Sequence, residues 1–404
     1  MISVDEARNN ILSGLKAVST ETVSVADAAG RVLAEDVIAR RTQPPADLSA
    51  MDGYAVKASD VGSVPVTLSV VGESAAGGSY DAEVKPGTAV RIFTGAPLPA
   101  GTDAIVIQED TTREGDQVTV NEGVSAGRYV RNAGIDFQEG DAGLSAGKTI
   151  TPRDVGLLAA MNIPWITTHR KPRVALLSTG DELVRPGEPV GENQIISTNS
   201  LVVAAMITAA GAEAIDLGIA KDNEASLRQM ASGAASADLL VTLGGASVGD
   251  HDLVQSVLGK EGLEIDFWRI AMRPGKPLMF GDLAGTPMLG MPGNPVSSMI
   301  CSYIFLYPAL DVLMGRAPRT PSYTPAILSH DITANDQRED YQRALIVGDK
   351  NGLPLIKLFS NQDSSLLSSL SAAHCLLKRE PFAEPLSKDT QVDIIMLESA
   401  YPGC

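Results

Sequence analysis

The stretch from about residue 171 to 245 constrains the fold most. Arg173–Ser178 is an apolar run that ends in Thr179-Gly180-Asp181-Glu182-Leu183. A helical segment from about Asn199 to Ala210, closed by Gly211, separates it from a second apolar run, Ala214–Ile219. That run leads to Asp222, a residue type that caps helices, and predicts a helix ending near Ala237. A third run, Asp238–Leu243, enters Gly244-Gly245. Strand–helix–strand–helix–strand predicts a parallel sheet covered by helices. Ligands of such sheets bind outside the carboxyl ends of the strands. The loops at 178–183, 244–252 and 272–277 are therefore the candidate site.

The rest of the chain is organised differently. Residues 3–18 space Ala7, Ile11 and Leu15 as a helix would, with Ser3 as cap, and a short helix is expected over 24–30. Short β-type runs alternate with Gly, Pro and Asp turns from about 46 to 136. Helical character returns after Thr151-Pro152-Arg153-Asp154, where proline suits a first helical turn. The expected layout is a discontinuous N-terminal linker/helical domain (1–45 and 137–170), an inserted β-rich domain (46–136), an α/β domain (171–316) and a C-terminal β-rich domain (317–404). The proline-rich run 317–325 is expected to be the linker before the last. The fold class is thus multidomain α/β plus β, with a central parallel-sheet domain.

Composition narrows the function. The net charge of −17 disfavours nucleic acid as a partner, because phosphate backbones need a basic footprint. An anionic small substrate would need a local cationic pocket. Three cysteines without a CxxC pair, and four scattered histidines, argue against a disulfide framework or a structural zinc site. The N-terminus lacks a basic, apolar leader, so a cytoplasmic location is expected. The apolar stretch 295–315 contains Pro308 and Asp311 and is read as a buried helix, with no membrane span expected.

Several segments combine residue types that chemistry uses. Gly244 and Gly245 let backbone approach a ligand, and the acidic residues Asp250 and Asp252 after them suit a hard cation such as Mg²⁺, although a plain glycine turn has the same composition. Arg273-Pro274-Gly275-Lys276 sets two cations about a Pro-Gly turn, fit for an oxyanion or merely for water. In Met291-Pro292-Gly293-Asn294-Pro295-Val296-Ser297 a strand passes into a helix. Asp52 beside Gly53, the group Arg128, Arg131 and Asp136, and the pairs Gln342-Arg343 and Asp363-Ser364 say little singly. Cys301 is expected in the core.

Taken in order, these segments resemble the molybdopterin molybdenumtransferase family, known as MoeA in bacteria and as the E domain of gephyrin in animals. They are SAMDGYAV at 49–56, RIFTGAPLPAGTDAIVIQED at 91–110, VRNAGID at 130–136, LLSTGDEL at 176–183, LGGASVGDHD at 243–252, RPGKP at 273–277, MPGNPVSS at 291–298, YQR at 341–343 and NQDSSLLSSL at 361–370. The resemblance implies insertion of molybdate into adenylylated molybdopterin with release of AMP, assisted by Mg²⁺. It also implies a homodimer with the site between subunits and a molybdopterin adenylyltransferase as upstream partner. By position it implies Asp52, Asp136, Glu182, Asp222 and Asp252 as the acidic catalytic set, with Glu182 and Asp252 as metal ligands. Thr94, Arg131, Gly244, Gly245, Ser247, Arg273, Lys276, Pro292, Pro295, Ser297, Arg343 and Ser364 would bind substrate. Two positions depart from the family: Arg273 where lysine is frequent, and Asp363 in a usually Gly-Ser-Gly-like motif. The alternatives are a non-catalytic molybdopterin-binding scaffold dimer, and an adenylyltransferase or CinA-like enzyme sharing only the α/β region.

Overall fold

The structure, a computed structural model, describes residues 1–245 and 253–397. Its centre is a six-stranded sheet in the order Glu213–Ala220, Arg173–Thr179, Leu239–Leu243, Thr286–Met291, Met279–Leu283, Leu263–Trp268. The first four strands are parallel, as the alternation of strands and helices predicts. The last two are antiparallel hairpin additions at one edge. The strand Arg173–Thr179 is buried along almost its whole length, which is why it reads as an unbroken apolar run.

One face of this sheet packs against the helix Asn199–Ala209 and the long helical segment Pro295–Leu313. That segment is 19 residues long and 83% buried inside the protein, so it is a core helix. It widens into a π-helical turn at Ser302–Leu306, just before Pro308, which has no N–H to continue the ordinary ladder. The N-terminal helix Val4–Ser13, capped by the Ser3 hydroxyl, buries Val4, Ala7 and Ile11 in this same central core. A separate core joins residues 25–39 to 137–166, with the helix Pro152–Ala160 held by a capping box between Thr151 and Asp154. The short helix expected over 24–30 is a single 3₁₀ turn, Val25–Asp27, ended by Ala28 and the left-handed Gly30.

Residues 48–131 include a six-stranded sheet in the order Ala104–Ile107, Gly53–Val56, Thr88–Ile92, Val66–Ser74, Gln117–Val120, Thr111–Glu114. At the C-terminal end, Glu339–Lys350, Leu353–Leu358, Tyr323–Leu328, Gln391–Met396 and Cys375–Arg379 close into a barrel, because the first strand also pairs with the last. The expected linker 317–325 is therefore shorter than its proline content suggests, since Tyr323 already pairs with Ile395. Met272–Arg273 runs beside Glu339–Lys350 and ties the central domain to the barrel.

Candidate functional site

Arg173–Thr179, Leu239–Leu243 and Thr286–Met291 are adjacent and parallel, so their carboxyl ends open on one side of the sheet. A cleft of about 670 Å³ lies there. Of the residues expected from sequence, Glu182, Gly244, Gly245, Pro292, Pro295 and Ser297 line it, with Pro277 from the Arg-Pro-Gly-Lys-Pro turn. Its last wall is Ser365 and Leu367 of the barrel domain. A second opening of about 580 Å³, beside Glu35, Asp36, Glu139 and Trp165, holds none of the expected residues.

Local chemistry explains this geometry. Gly180 has φ +144, and a Cβ there would fall 2.3 Å from the Glu182 carboxylate. Only glycine lets the loop fold Glu182 back over the strand end. At Gly245 a Cβ would meet Val254 at 2.2 Å. Asn294 donates from Nδ2 to the Ser364 hydroxyl at 2.8 Å, and the Val296 N–H donates to the Ser364 carbonyl at 3.1 Å. Ser364 thus docks the barrel loop onto the start of the Pro295 helix. Asn199 donates to the Gly293 carbonyl at 2.7 Å and fixes the same turn from the other side.

Asp222 is not the helix cap its position suggested. Asn223 caps Glu224–Ala231 by accepting from the Ser226 N–H, and a 3₁₀ turn, Ser232–Ser236, follows. Asp222 and Asp181 instead clasp each other, each carboxylate accepting the other's backbone N–H at 3.3 and 3.2 Å. Two adjacent Asx residues compete for the cap, and the second has the extended backbone a cap requires.

The cations are placed unequally. Arg273 donates to Asp336 and Asn335, both at 3.1 Å, and to Asp340, so it is committed to the barrel domain. Arg343 is 1% exposed. Its guanidinium donates to the Gln362 side chain and to the carbonyls of Asn361, Asp363 and Leu366. It braces the 361–366 loop from beneath and does not line the cleft. Burial pulls its pKa below the ordinary arginine value. Lys276 is exposed at the rim, next to Pro277, and its ammonium makes no ion pair among the described residues. The unexpected carboxylate of Asp363 is occupied: it accepts from the Ser365 hydroxyl at 2.6 Å and N–H at 2.8 Å, which hold its pKa below the usual carboxylate range.

A second group lies in the inserted sheet and does not line the cleft. Asp52 accepts from the Thr94 N–H at 2.7 Å and hydroxyl at 2.8 Å. These two bonds, the backbone one foremost, hold Asp52 below its ordinary pKa, with Arg91 adding to them. Arg91 was not foreseen. It donates to the Gly53 carbonyl at 3.1 Å and to Gln108 at 2.7 Å, and stacks between the rings of Tyr54 and Phe93 at 5.1 and 4.9 Å. It opens the run RIFTGAPLPAGTDAIVIQED at 91–110, but nothing in that run announces its contact with Tyr54. Arg131 is exposed on the strand Val130–Arg131, and Asp136 is exposed just after it, its N–H donating to Gln43.

Ser247 and Asp252 lie outside the described residues. Among the described residues no three of His, Cys, Asp and Glu form a group able to hold a metal. Glu182 is the one carboxylate on the described cleft lining.

Comparison with known proteins covers almost the whole chain. Residues 2–162 match the MoeA N-terminal region (domains I and II), 175–312 a probable molybdopterin binding domain, and 325–397 the MoeA C-terminal region (domain IV). The chain is 38% identical to the molybdopterin molybdenumtransferase of Haemophilus influenzae over 94% of this chain and 95% of that protein. It is 39% identical to that of Nostoc over 80% and 76%. Two crystal structures of a molybdopterin biosynthesis MoeA protein from Pyrococcus horikoshii superpose with TM-scores of 0.85 and 0.83 at 29% and 28% identity. They cover 100% and 98% of this chain and 100% of theirs.

Proposed function

Because the chain belongs to the MoeA family, it is a molybdopterin molybdenumtransferase of molybdenum cofactor biosynthesis, and we propose that its substrate is adenylylated molybdopterin, bound in the cleft at the carboxyl ends of the parallel strands. The observation that carries this reading is the cleft's position. It lies within the region matching a molybdopterin binding domain, where Glu182, Gly245, Ser297 and the barrel loop at Ser364 converge. The chain also matches MoeA regions on both sides of that central domain, so it is more than the central domain alone.

In this reading water attacks the phosphoanhydride and AMP leaves, and the two dithiolene thiols pass their protons to one molybdate oxygen, which departs as water as the two Mo–S bonds form. Mg²⁺ is commonly held by one or two carboxylates together with phosphate oxygens and water. A lone Glu182 therefore fits a metal that arrives on the substrate phosphates, with Asp252 as the second ligand implied by family position. Such a metal would neutralise charge on the leaving phosphate. Glu182 orients that end of the substrate, the Asp181–Asp222 clasp fixes the loop it stands on, and Lys276 supplies the cation for the oxyanion.

We also propose a homodimer in which Asp52, Thr94, Arg131 and Asp136 of one subunit complete the cleft of the other. The helix Asn199–Ala209 begins at the cleft, contains no charged residue and leaves Leu201 57% exposed, and Ile195 on the cleft lining is 58% exposed. Such a face suits a protein contact better than water. A cytoplasmic location and supply by an adenylyltransferase accord with the acidic chain and with the adenylylated substrate.

The test is AMP release from adenylylated molybdopterin with Mg²⁺, with and without molybdate. Molybdate-dependent release with molybdenum retained on the pterin is expected. Binding without release under any metal would overturn the catalytic reading.

A further inference from the structure

The inserted sheet holds a cation that the proposed chemistry has not used. Arg91 is half-buried and held on several sides, yet among the described residues it makes no ion pair. Its guanidinium donates to the Gly53 carbonyl at 3.1 Å and to the Gln108 side chain at 2.7 Å, and it lies between the rings of Tyr54 and Phe93. Taking a guanidinium partly out of water costs desolvation that an acidic partner usually offsets. A neutral side chain would brace a backbone carbonyl without that cost, so the charge itself has a use.

What the charge serves is Asp52. Thr94, further along the same segment, donates its N–H and hydroxyl to the Asp52 carboxylate at 2.7 and 2.8 Å. Arg91 holds the next residue's carbonyl, and Gln108, which Arg91 orients, donates its N–H to the Asp52 carbonyl at 3.1 Å. The corner has no room to slide, because a Cβ at Gly53 would fall 2.0 Å from the Val106 carbonyl oxygen. Residues 91–94 therefore grip Asp52 twice, by its carboxylate and by its backbone. The Thr94 bonds do most to hold Asp52 below its ordinary pKa. Of the charged groups on the neighbouring elements, Arg91, Glu109, Asp110 and Arg131, Arg91 is the one whose charge adds to them. We propose that Arg91 is a positioning residue for the transferase reaction: it locks the Gly53 carbonyl, sets an uncompensated cation beside Asp52, and so aims the carboxylate that completes the partner subunit's cleft. This rests on the reading of Asp52 as a residue of the reaction.

Two variants of the full chain test this. Arg91→Leu keeps an apolar filler between the rings and removes both the donors and the charge, whereas Arg91→Lys keeps the charge. The readouts are AMP release from adenylylated molybdopterin across pH, and thermal melting of the unliganded protein. In Arg91→Leu, kcat at neutral pH falls about tenfold to a hundredfold, the size of a small misplacement of a reacting group. KM stays within about twofold, because Arg91 acts through Asp52 and not on the substrate. The acid limb of the profile moves to higher pH. In Arg91→Lys the limb returns toward the parent while part of the kcat loss remains, because one ammonium cannot hold both Gly53 and Gln108. Combined with Thr94→Val, Arg91→Leu costs less than the product of the two single losses, since both act through one carboxylate. Arg91→Lys carries the same comparison where the leucine variant melts below the assay temperature. A parental kcat, a rate loss that leaves the acid limb in place, or losses that simply multiply overturns the inference. Asp52→Asn with parental activity overturns the underlying reading of Asp52 itself, before Arg91 is consulted.

Discussion

Arg343 separates two accounts of this site. Family position makes it an oxyanion ligand, whereas the geometry makes it a brace. Arg343→Met keeps much of the side-chain volume and removes the donors. It strips bonds to the carbonyls of Leu366 and Asp363, both 2.9 Å, and weaker ones to Asn361 and Gln362. Each strong bond from a charged donor contributes about 1.5–3 kcal/mol. The gross loss is therefore about 3–6 kcal/mol, partly offset because the buried guanidinium no longer has to be desolvated. A net loss of about 2–3 kcal/mol lowers the melting temperature by about 5–10 °C for a cooperative unit of 150–250 residues. With the loop released, Ser364 no longer holds Asn294 and Val296, so KM for adenylylated molybdopterin rises. The half-saturating molybdate concentration, measured at saturating pterin substrate, changes little. Arg343→Lys should behave nearly as badly, because one ammonium cannot span three carbonyls. The reasoning is refuted if Arg343→Met melts with the parent while the molybdate requirement rises more than about tenfold, the size expected for losing a direct charged contact.

Three further outcomes are expected. Asp52→Asn and Glu182→Gln, each inactive alone, should recover about a quarter of parental AMP release when co-expressed and mixed at random, because one of the two clefts in a mixed dimer is intact; no recovery would mean that both residues act in one subunit. Thr94→Val removes the hydroxyl bond that helps hold Asp52 below its ordinary pKa, so the acid limb of the rate profile should move to higher pH, and an unmoved limb would exclude Asp52 as the group it reports. The Asp154 carboxyl, which burial pushes up but Lys148 and Thr151 more than pull back down, contributes stability that is present above its unfolded pKa of about 3.9 and is lost as pH falls through the lower folded value. Asp154→Asn should therefore flatten acid unfolding below about pH 4, and a denaturation midpoint with the parental acid dependence would contradict this.

Much of the central domain was legible because burial on both faces of a parallel strand writes itself as an apolar run, and because crossover helices separate those runs. The antiparallel edge strands Met279–Leu283 and Leu263–Trp268 were not, since their short alternation resembles that of any hairpin. Barrel closure was also hidden. It depends on Glu339–Lys350 pairing with Cys375–Arg379 as well as with Leu353–Leu358, a long-range fact with no local signature. The helix at Val4–Ser13 announced its apolar stripe but not its partner, which proved to be the central core. At the site, residue types were readable but their commitments were not. A sequence shows that Arg273, Lys276 and Arg343 are cationic. It does not show that two of them already have tertiary partners.

Those commitments bear on how an acidic protein handles a polyanionic substrate. With a net charge of −17, the envelope repels molybdate and phosphates alike, so anion affinity has to come from cations that are both near the cleft and unspent. Arg273 is neutralised by Asp336 and Asp340, and Arg343 is turned away from the cleft under the loop it braces. Lys276 remains on the rim, and Arg131, exposed and without an ion pair among the described residues, is a free cation in the inserted domain. If the oxyanion is held between two such groups from different subunits, a monomer has only half of the anion site and holds molybdate poorly. Molybdate dependence would then be a property of the dimer.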